Sequence, residues 1–175
     1  MNVAAIILAG GNSTRFEDGH KLLAPLDGIP LVRHVTTVLA GSNVSDIVLV
    51  TGKNTDDVVA AAGTGRWRNV ENNGATVGLS SSLRLGIQTV DASADGILVA
   101  LGDMPGISTG LVQSLLVAFE KTEGRSIVFP IAHDGQRGHP IIWPRALFAE
   151  LQRLSGDTGG ETLLADHRDL WHPVP

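Results

Sequence analysis

The chain has 175 residues, 43 % of them apolar and 18 % charged, with a formal net charge of −5 and no cysteine. That size fits one domain over residues 1–175, able to bury a proper core, with the balance of a globular chain. The acidic balance argues against broad attraction to nucleic acid, and the lack of cysteine removes disulfides, thiolate metal sites and a thiol nucleophile.

The opening stretch MNVAAIILAGG has a short apolar run with no basic segment ahead of it, so it reads as a first core strand and not as a secretory signal. No apolar run reaches the length of a membrane-spanning helix, and a cytoplasmic protein is expected. Apolar, β-branched runs predict strands over Val3–Ala9, Ile47–Thr51, Trp67–Glu71, Gly96–Leu101 and Ser126–Ile131. Most do not alternate, as in strands covered on both faces. Helices are predicted between and after them, over Pro30–Ala40, Thr55–Ala62, Leu79–Val90, Ser108–Lys121 and Pro144–Leu154. This alternation predicts an α/β layered fold with a mostly parallel sheet. The terminal LWHPVP reads as a small apolar tail, and a monomer is expected.

In such sheets ligands sit beyond the carboxyl ends of the strands, and three predicted strand exits are glycine-rich or polar. After the first comes GGNSTR (Gly10–Arg15), after the third NNG (Asn72–Gly74), and after the fourth GDMP (Gly102–Pro105). Gly10 and Gly11 permit positive φ and let backbone N–H groups approach an anion, while Arg15 and Lys21 supply a fork and a mobile point charge. This is neither a P-loop nor the G-x-G-x-x-G dinucleotide spacing, and an ordinary loop with surface cations has the same composition. Asp103 is delivered to the sheet edge just before Pro105 and lies too far from Ser108 to cap the next helix, so a Mg²⁺ ligand is the favoured reading. Asp157, flanked by glycines in LSGDTGG, suits either a ligand position or a helix-ending turn. Ser80, Ser81 and Ser82 stand at a helix start, where free N–H groups favour anions and hydroxyls also serve as caps. Arg137 and His139 in GQRGHP fit a second anion contact or a surface turn. No zinc spacing and no G-x-S-x-G elbow is present, so the set points to phosphoryl or nucleotidyl transfer.

Taken together, LAGG-x-S-x-R-F…K-L-L-x-P-L, N-x5-G-L-S-S-S-L-R, L-G-D-M-P and R-G-H-P-I…L-x-G-D-x-G resemble the molybdenum cofactor nucleotidyltransferases, nearest the cytidylyltransferase branch of the MobA-like NTP transferases. The resemblance runs from Val3 to about Leu164. It implies a Rossmann-like three-layer sandwich, similar to the nucleotide-diphospho-sugar transferases, that moves CMP from CTP onto the terminal phosphate of Mo-molybdopterin and releases pyrophosphate. It implies Lys21, Arg15 and Asp103 as catalytic residues, and Leu8, Ala9, Gly10, Gly11, Arg15, Lys21, Asn73, Leu79, Ser80 and Ser81 around the nucleotide. Asp103 and Asp157 are implied as Mg²⁺ ligands, and Arg137 and His139 face the pterin substrate. Cytidylyl-transferring relatives usually read LAAG where this chain reads LAGG, as guanylyl-transferring relatives do. A glycine at position 10 leaves more room near the base, which suits GTP, whereas the GLSSSL, RGHP and LSGD segments resemble the CTP branch and outweigh it. A nucleotide-binding maturation factor without catalysis, serving a client molybdenum hydroxylase, shares the same loops.

Overall fold

Strand β1 (Val3–Ala9) is buried at every position, and its side chains divide by parity between two apolar cores. Val3, Ala5, Ile7 and Ala9 face one core, and Ala4, Ile6 and Leu8 face the other. Burial on both faces is why the run is apolar throughout instead of alternating. The computed structural model describes residues 1–11, 20–53, 55–74, 78–157 and 160–175. Arg15, an expected phosphate ligand, lies outside the described residues.

After β1, the short strands β2 (Pro25–Leu26) and β3 (Ile29–Pro30) form a hairpin turned at Asp27 and Gly28, both with positive φ. The central sheet adds β4 (Ile47–Thr51), β5 (Arg68–Glu71), β6 (Gly96–Leu101), β7 (Ile127–Pro130), β8 (Ile141–Pro144) and β9 (Trp171–Val174). Its seven strands run in the order β5-β4-β1-β6-β8-β7-β9. β5, β4, β1 and β6 are mutually parallel, so their carboxyl ends share one edge, as expected. Helices α1 (Leu31–Ala40), α2 (Thr55–Ala62) and α4 (Thr109–Lys121) cover one face; α3 (Leu79–Thr89), α5 (Phe148–Leu151) and α6 (Glu161–Asp166) cover the other. Gly86 lets α3 lie close on the sheet, because a Cβ there would stand 2.6 Å from Ile6 Cγ2 and 3.3 Å from Val50 Cγ2.

The hairpin of β2 and β3 was not among the expected elements, and further differences lie in the last third. The helix expected over Pro144–Leu154 begins only at Phe148, because Pro144 ends β8 and the chain then makes a 3-10 turn over Arg145–Leu147. β8 runs antiparallel to both its neighbours. The terminal LWHPVP is no loose tail: β9 pairs in parallel with β7, and the Trp171 ring meets Phe129 edge-on at 5.5 Å. An outermost strand leaves one side of its ladder unpaired, so Pro173 is tolerated there.

Candidate active site

From β1 the chain builds the sheet first toward β4 and β5 and then returns to add β6 on the opposite side. Such a reversal opens a crevice between the two central strand ends. A cavity of about 280 Å³ lies there, walled by Leu8, Ala9, Gly11, Lys21, Leu79 and Asp103 among others. Lys21 begins a 3-10 turn anchored by buried Leu22, which presents the ammonium to the cavity. Its Nζ donates to Asp103 Oδ2 at 2.6 Å, with the two side chains 48 % and 30 % exposed, so both groups remain open to a ligand. Asp103 has no capping duty, because Ser108 caps α4 by accepting the Leu111 N–H at 3.1 Å.

Neither Gly10 nor Gly11 adopts the positive φ that glycine would permit. Among the described residues nothing stands within 4 Å of a Cβ built at Gly11. Gly10 is different: a Cβ there would stand 3.0 Å from Ser82 Oγ and 3.4 Å from the Thr51 carbonyl oxygen. The room beside residue 10 is thus already taken by the protein.

The start of α3 is likewise engaged. The Leu79 N–H donates to Asp157 Oδ1 at 3.2 Å, and both the N–H and the hydroxyl of Ser80 donate to the Gly156 carbonyl, at 3.3 and 2.7 Å. Ser81 Oγ donates to the Gly78 carbonyl at 2.9 Å. Gly78 has φ +100°, and a Cβ there would collide with the Gly156 carbonyl, so glycine lets the two loops touch. The amides expected to meet a ligand anion therefore hold the chain's own Gly156–Asp157 turn, with Asp157 acting as a remote cap of α3. Asn73 is exposed, whereas its neighbour Asn72 is buried and donates through Nδ2 to Ser81 Oγ at 2.8 Å and Ser82 Oγ at 3.0 Å. The residue that sequence reasoning passed over was legible: the asparagine of the N-x5-G-L-S-S-S spacing is Asn72.

A second, apolar cavity of about 80 Å³ shares Leu8, Leu79 and Leu101 with the first and is bounded by His139 and Glu161. His139 Nδ1 is buried without a hydrogen-bond partner among the described residues. Burial pushes the imidazole pKa below its usual value, opposed by the Val99 backbone, Glu161 and Asp103. Arg137 does not join this wall; its guanidinium stacks over Trp171 at 4.8 Å from the ring centre. Among the described residues no group of three His, Asp or Glu side chains is placed to hold a metal unaided. No described helix is long and apolar enough to cross a membrane.

Comparison with known proteins fits this geometry. The MobA-like NTP transferase domain matches residues 5–170. Nicotine blue oxidoreductase of Paenarthrobacter nicotinovorans is 32 % identical over 169 residues, covering 93 % of this chain and 81 % of that protein. The bifunctional protein GlmU of Brucella anthropi is 34 % identical over 134 residues, 71 % of this chain, which spans only 27 % of that protein. Rv0371c of Mycobacterium tuberculosis superposes with a TM-score of 0.83 at 25 % identity, covering 99 % of this chain and 87 % of that one. The same relative has also been solved in complex with manganese. The shared architecture is the Rossmann-like fold of the nucleotide-diphospho-sugar transferases.

Proposed function

Because the chain belongs to the MobA-like NTP transferase family, we propose that it moves CMP from CTP onto the terminal phosphate of Mo-molybdopterin, releasing pyrophosphate, with Mg²⁺ as cofactor. The observation that carries this reading is the Lys21–Asp103 pair at the joint exit of β1 and β6, a cation and a carboxylate in a glycine-edged crevice. One sheet running from β1 to β9 supports treating residues 1–175 as a single domain.

Both reactants are polyanions, so the site must chiefly neutralise charge and align the groups. The attacking phosphate has no proton to lose, and no general base is needed. Asp103 suits Mg²⁺, which takes one or two carboxylates and completes its shell with water and substrate phosphates, and the present partner of Asp103 is itself a cation. Bound there, the ion would screen the oxygens of the reacting and departing phosphates. The manganese complex of Rv0371c supports a divalent cation in this fold. Asp157, whose Oδ1 accepts the Leu79 N–H, is assigned as the second carboxylate that would hold the ion. Lys21 would turn from Asp103 to the triphosphate; Arg15 joins it by resemblance. Leu8, Ala9, Gly10 and Gly11 border the nucleotide from β1, and Asn73, Leu79, Ser80 and Ser81 border it from the facing edge. His139 and Arg137 are assigned to the acceptor, and the uncharged imidazole suits a flat, neutral ring.

A second reading, an oxidoreductase, is favoured only by the 32 % identity with nicotine blue oxidoreductase. The missing G-x-G-x-x-G spacing stands against a nicotinamide dinucleotide in this cavity. The deciding experiment supplies Mg²⁺, molybdopterin-bound molybdenum and either CTP or GTP, and follows pyrophosphate. Faster release from CTP is expected, and faster release from GTP makes the chain a guanylyltransferase. Binding without release points to a maturation factor. Consumption of a reduced nicotinamide with no pyrophosphate would establish the oxidoreductase.

A further inference from the structure

The apolar cavity of about 80 Å³ is small beside the several hundred Å³ that house a whole ligand, and it shares Leu8, Leu79 and Leu101 with the larger one. It is therefore a side room of that site, fit for one ring of a molecule bound there. Val99, Ile141 and Leu164 complete its apolar walls, so a flat, uncharged occupant gains most by entering. Among the described residues that line it, only His139 and Glu161 bring polar side chains, and both offer acceptors. His139 Nδ1 is buried without a partner, so the ring's bond to the Val99 backbone belongs to Nε2. An uncharged imidazole that donates through Nε2 keeps a lone pair on Nδ1. The Glu161 carboxylate only accepts. It makes no ion pair among the described residues, and its charge acts on the His139 ring. Glu161 also stands in the first turn of α6, where a carboxylate helps any helix, but that duty needs no cavity. Two acceptors with no side-chain donor between them call for an occupant that supplies N–H groups.

We infer that Glu161 is the residue that selects the acceptor ring: with His139 Nδ1 it takes the edge of a neutral heterocycle that presents a ring N–H beside an amino group. Two N–H groups side by side match the two oxygens of one carboxylate. A ring with a carbonyl in place of the amino group would set oxygen against oxygen and be refused. The inference rests on the acceptor assignment made above, and it adds which edge is read and by which side chain.

The test uses the full chain and two free rings of one shape. Pterin carries an amino group where lumazine carries a carbonyl, and both fluoresce, so quenching at pH 7 reads their binding. The parent is expected to bind pterin at least about tenfold tighter than lumazine. Glu161→Gln should bring that ratio down to about threefold or less, because its amide turns a donor toward donors. Glu161→Asp keeps the charge that α6 uses but withdraws the carboxylate by one methylene, so it should melt like the parent and still select poorly. In turnover with CTP, Mg²⁺ and molybdopterin-bound molybdenum, Glu161→Gln should raise the acceptor KM about tenfold and leave the KM for CTP within about twofold. A pterin:lumazine ratio near one in the parent overturns the inference, as does a Glu161→Gln protein that keeps the parent's ratio. If Glu161→Gln does not fold, the parent's ratio and Glu161→Asp decide. A parent that binds neither ring yet releases pyrophosphate also overturns it and leaves the transferase reading standing. Ring selection that tracks Glu161 without any pyrophosphate release supports the inference and removes the transferase.

Discussion

The ion pair between Lys21 and Asp103 leaves 48 % and 30 % of the two side chains exposed, so solvent screening keeps its worth to folding below about 1 kcal/mol. In the proposed function its value is chemical. Asp103→Ala should lower pyrophosphate release by at least about a hundredfold, the scale of losing one preorganised charge, while the melting temperature moves by no more than about 3 °C. A variant that melts normally and turns over normally would show that the metal is held elsewhere. His139 behaves in the opposite manner, because its cost is paid in folding. Burial lowers its pKa in the folded chain, and His20 is lowered for the same reason. Above the ordinary imidazole pKa of about 6.5 both states are neutral and pH has no effect through these groups. As pH falls below that value the unfolded chain takes up protons that the folded chain refuses, so stability must decline. Melting temperatures compared at pH 7.5 and pH 5.5 should show this fall, and His139→Gln should make it shallower without abolishing it, since His20 remains.

At the scale of elements, α3 shows what a sequence discloses and what it withholds. The helix itself was legible from apolar spacing behind a glycine and serines. The distant partners at its start were not, because Gly156, which accepts from Ser80, and Asp157, which accepts from the Leu79 N–H, lie more than seventy residues away in the chain. Ser80, Ser81 and Asp157 each suit a cap or a ligand by sequence; the fold joins Leu79 and Ser80 to the Gly156–Asp157 turn, whereas Ser81 bonds to nearby Gly78 and Asn72. The same helix owes its seat to Gly86. A methyl at that position would press on Ile6, a branched side chain in a strand buried at every position, and the better helix propensity of alanine offsets only part of the strain. Gly86→Ala should therefore cost about 2 kcal/mol and lower the melting temperature by several degrees. An unchanged melt would mean that α3 slides on the sheet at no cost.

Across the whole molecule, the strands buried on both faces were readable because burial forces an unbroken apolar run. β8 and β9 were missed because proline ends one and interrupts the other, and proline near an edge reads as a break until the neighbouring strand is known. β9 is nonetheless built in. Trp171 meets Phe129 and carries Arg137 and Arg168 over its ring at 4.8 and 5.6 Å. Trp171→Ala should destabilise the chain by about 2 kcal/mol in urea unfolding, less than a fully buried tryptophan because the ring is only half-buried. The Lys21–Asp103 pair also has a consequence for traffic into the crevice. Among the described residues of that cavity wall the ammonium is balanced by a carboxylate, and the chain as a whole carries −5, which limits the positive potential that reaches a distant polyanion. In the proposed function, nucleotide capture would then be a short-range affair, without the electrostatic funnelling that makes association collapse in salt. Stopped-flow association of Mg-nucleotide should vary less than about threefold between 20 and 200 mM salt, and a steep decline would reveal a guiding field that this pairing does not supply.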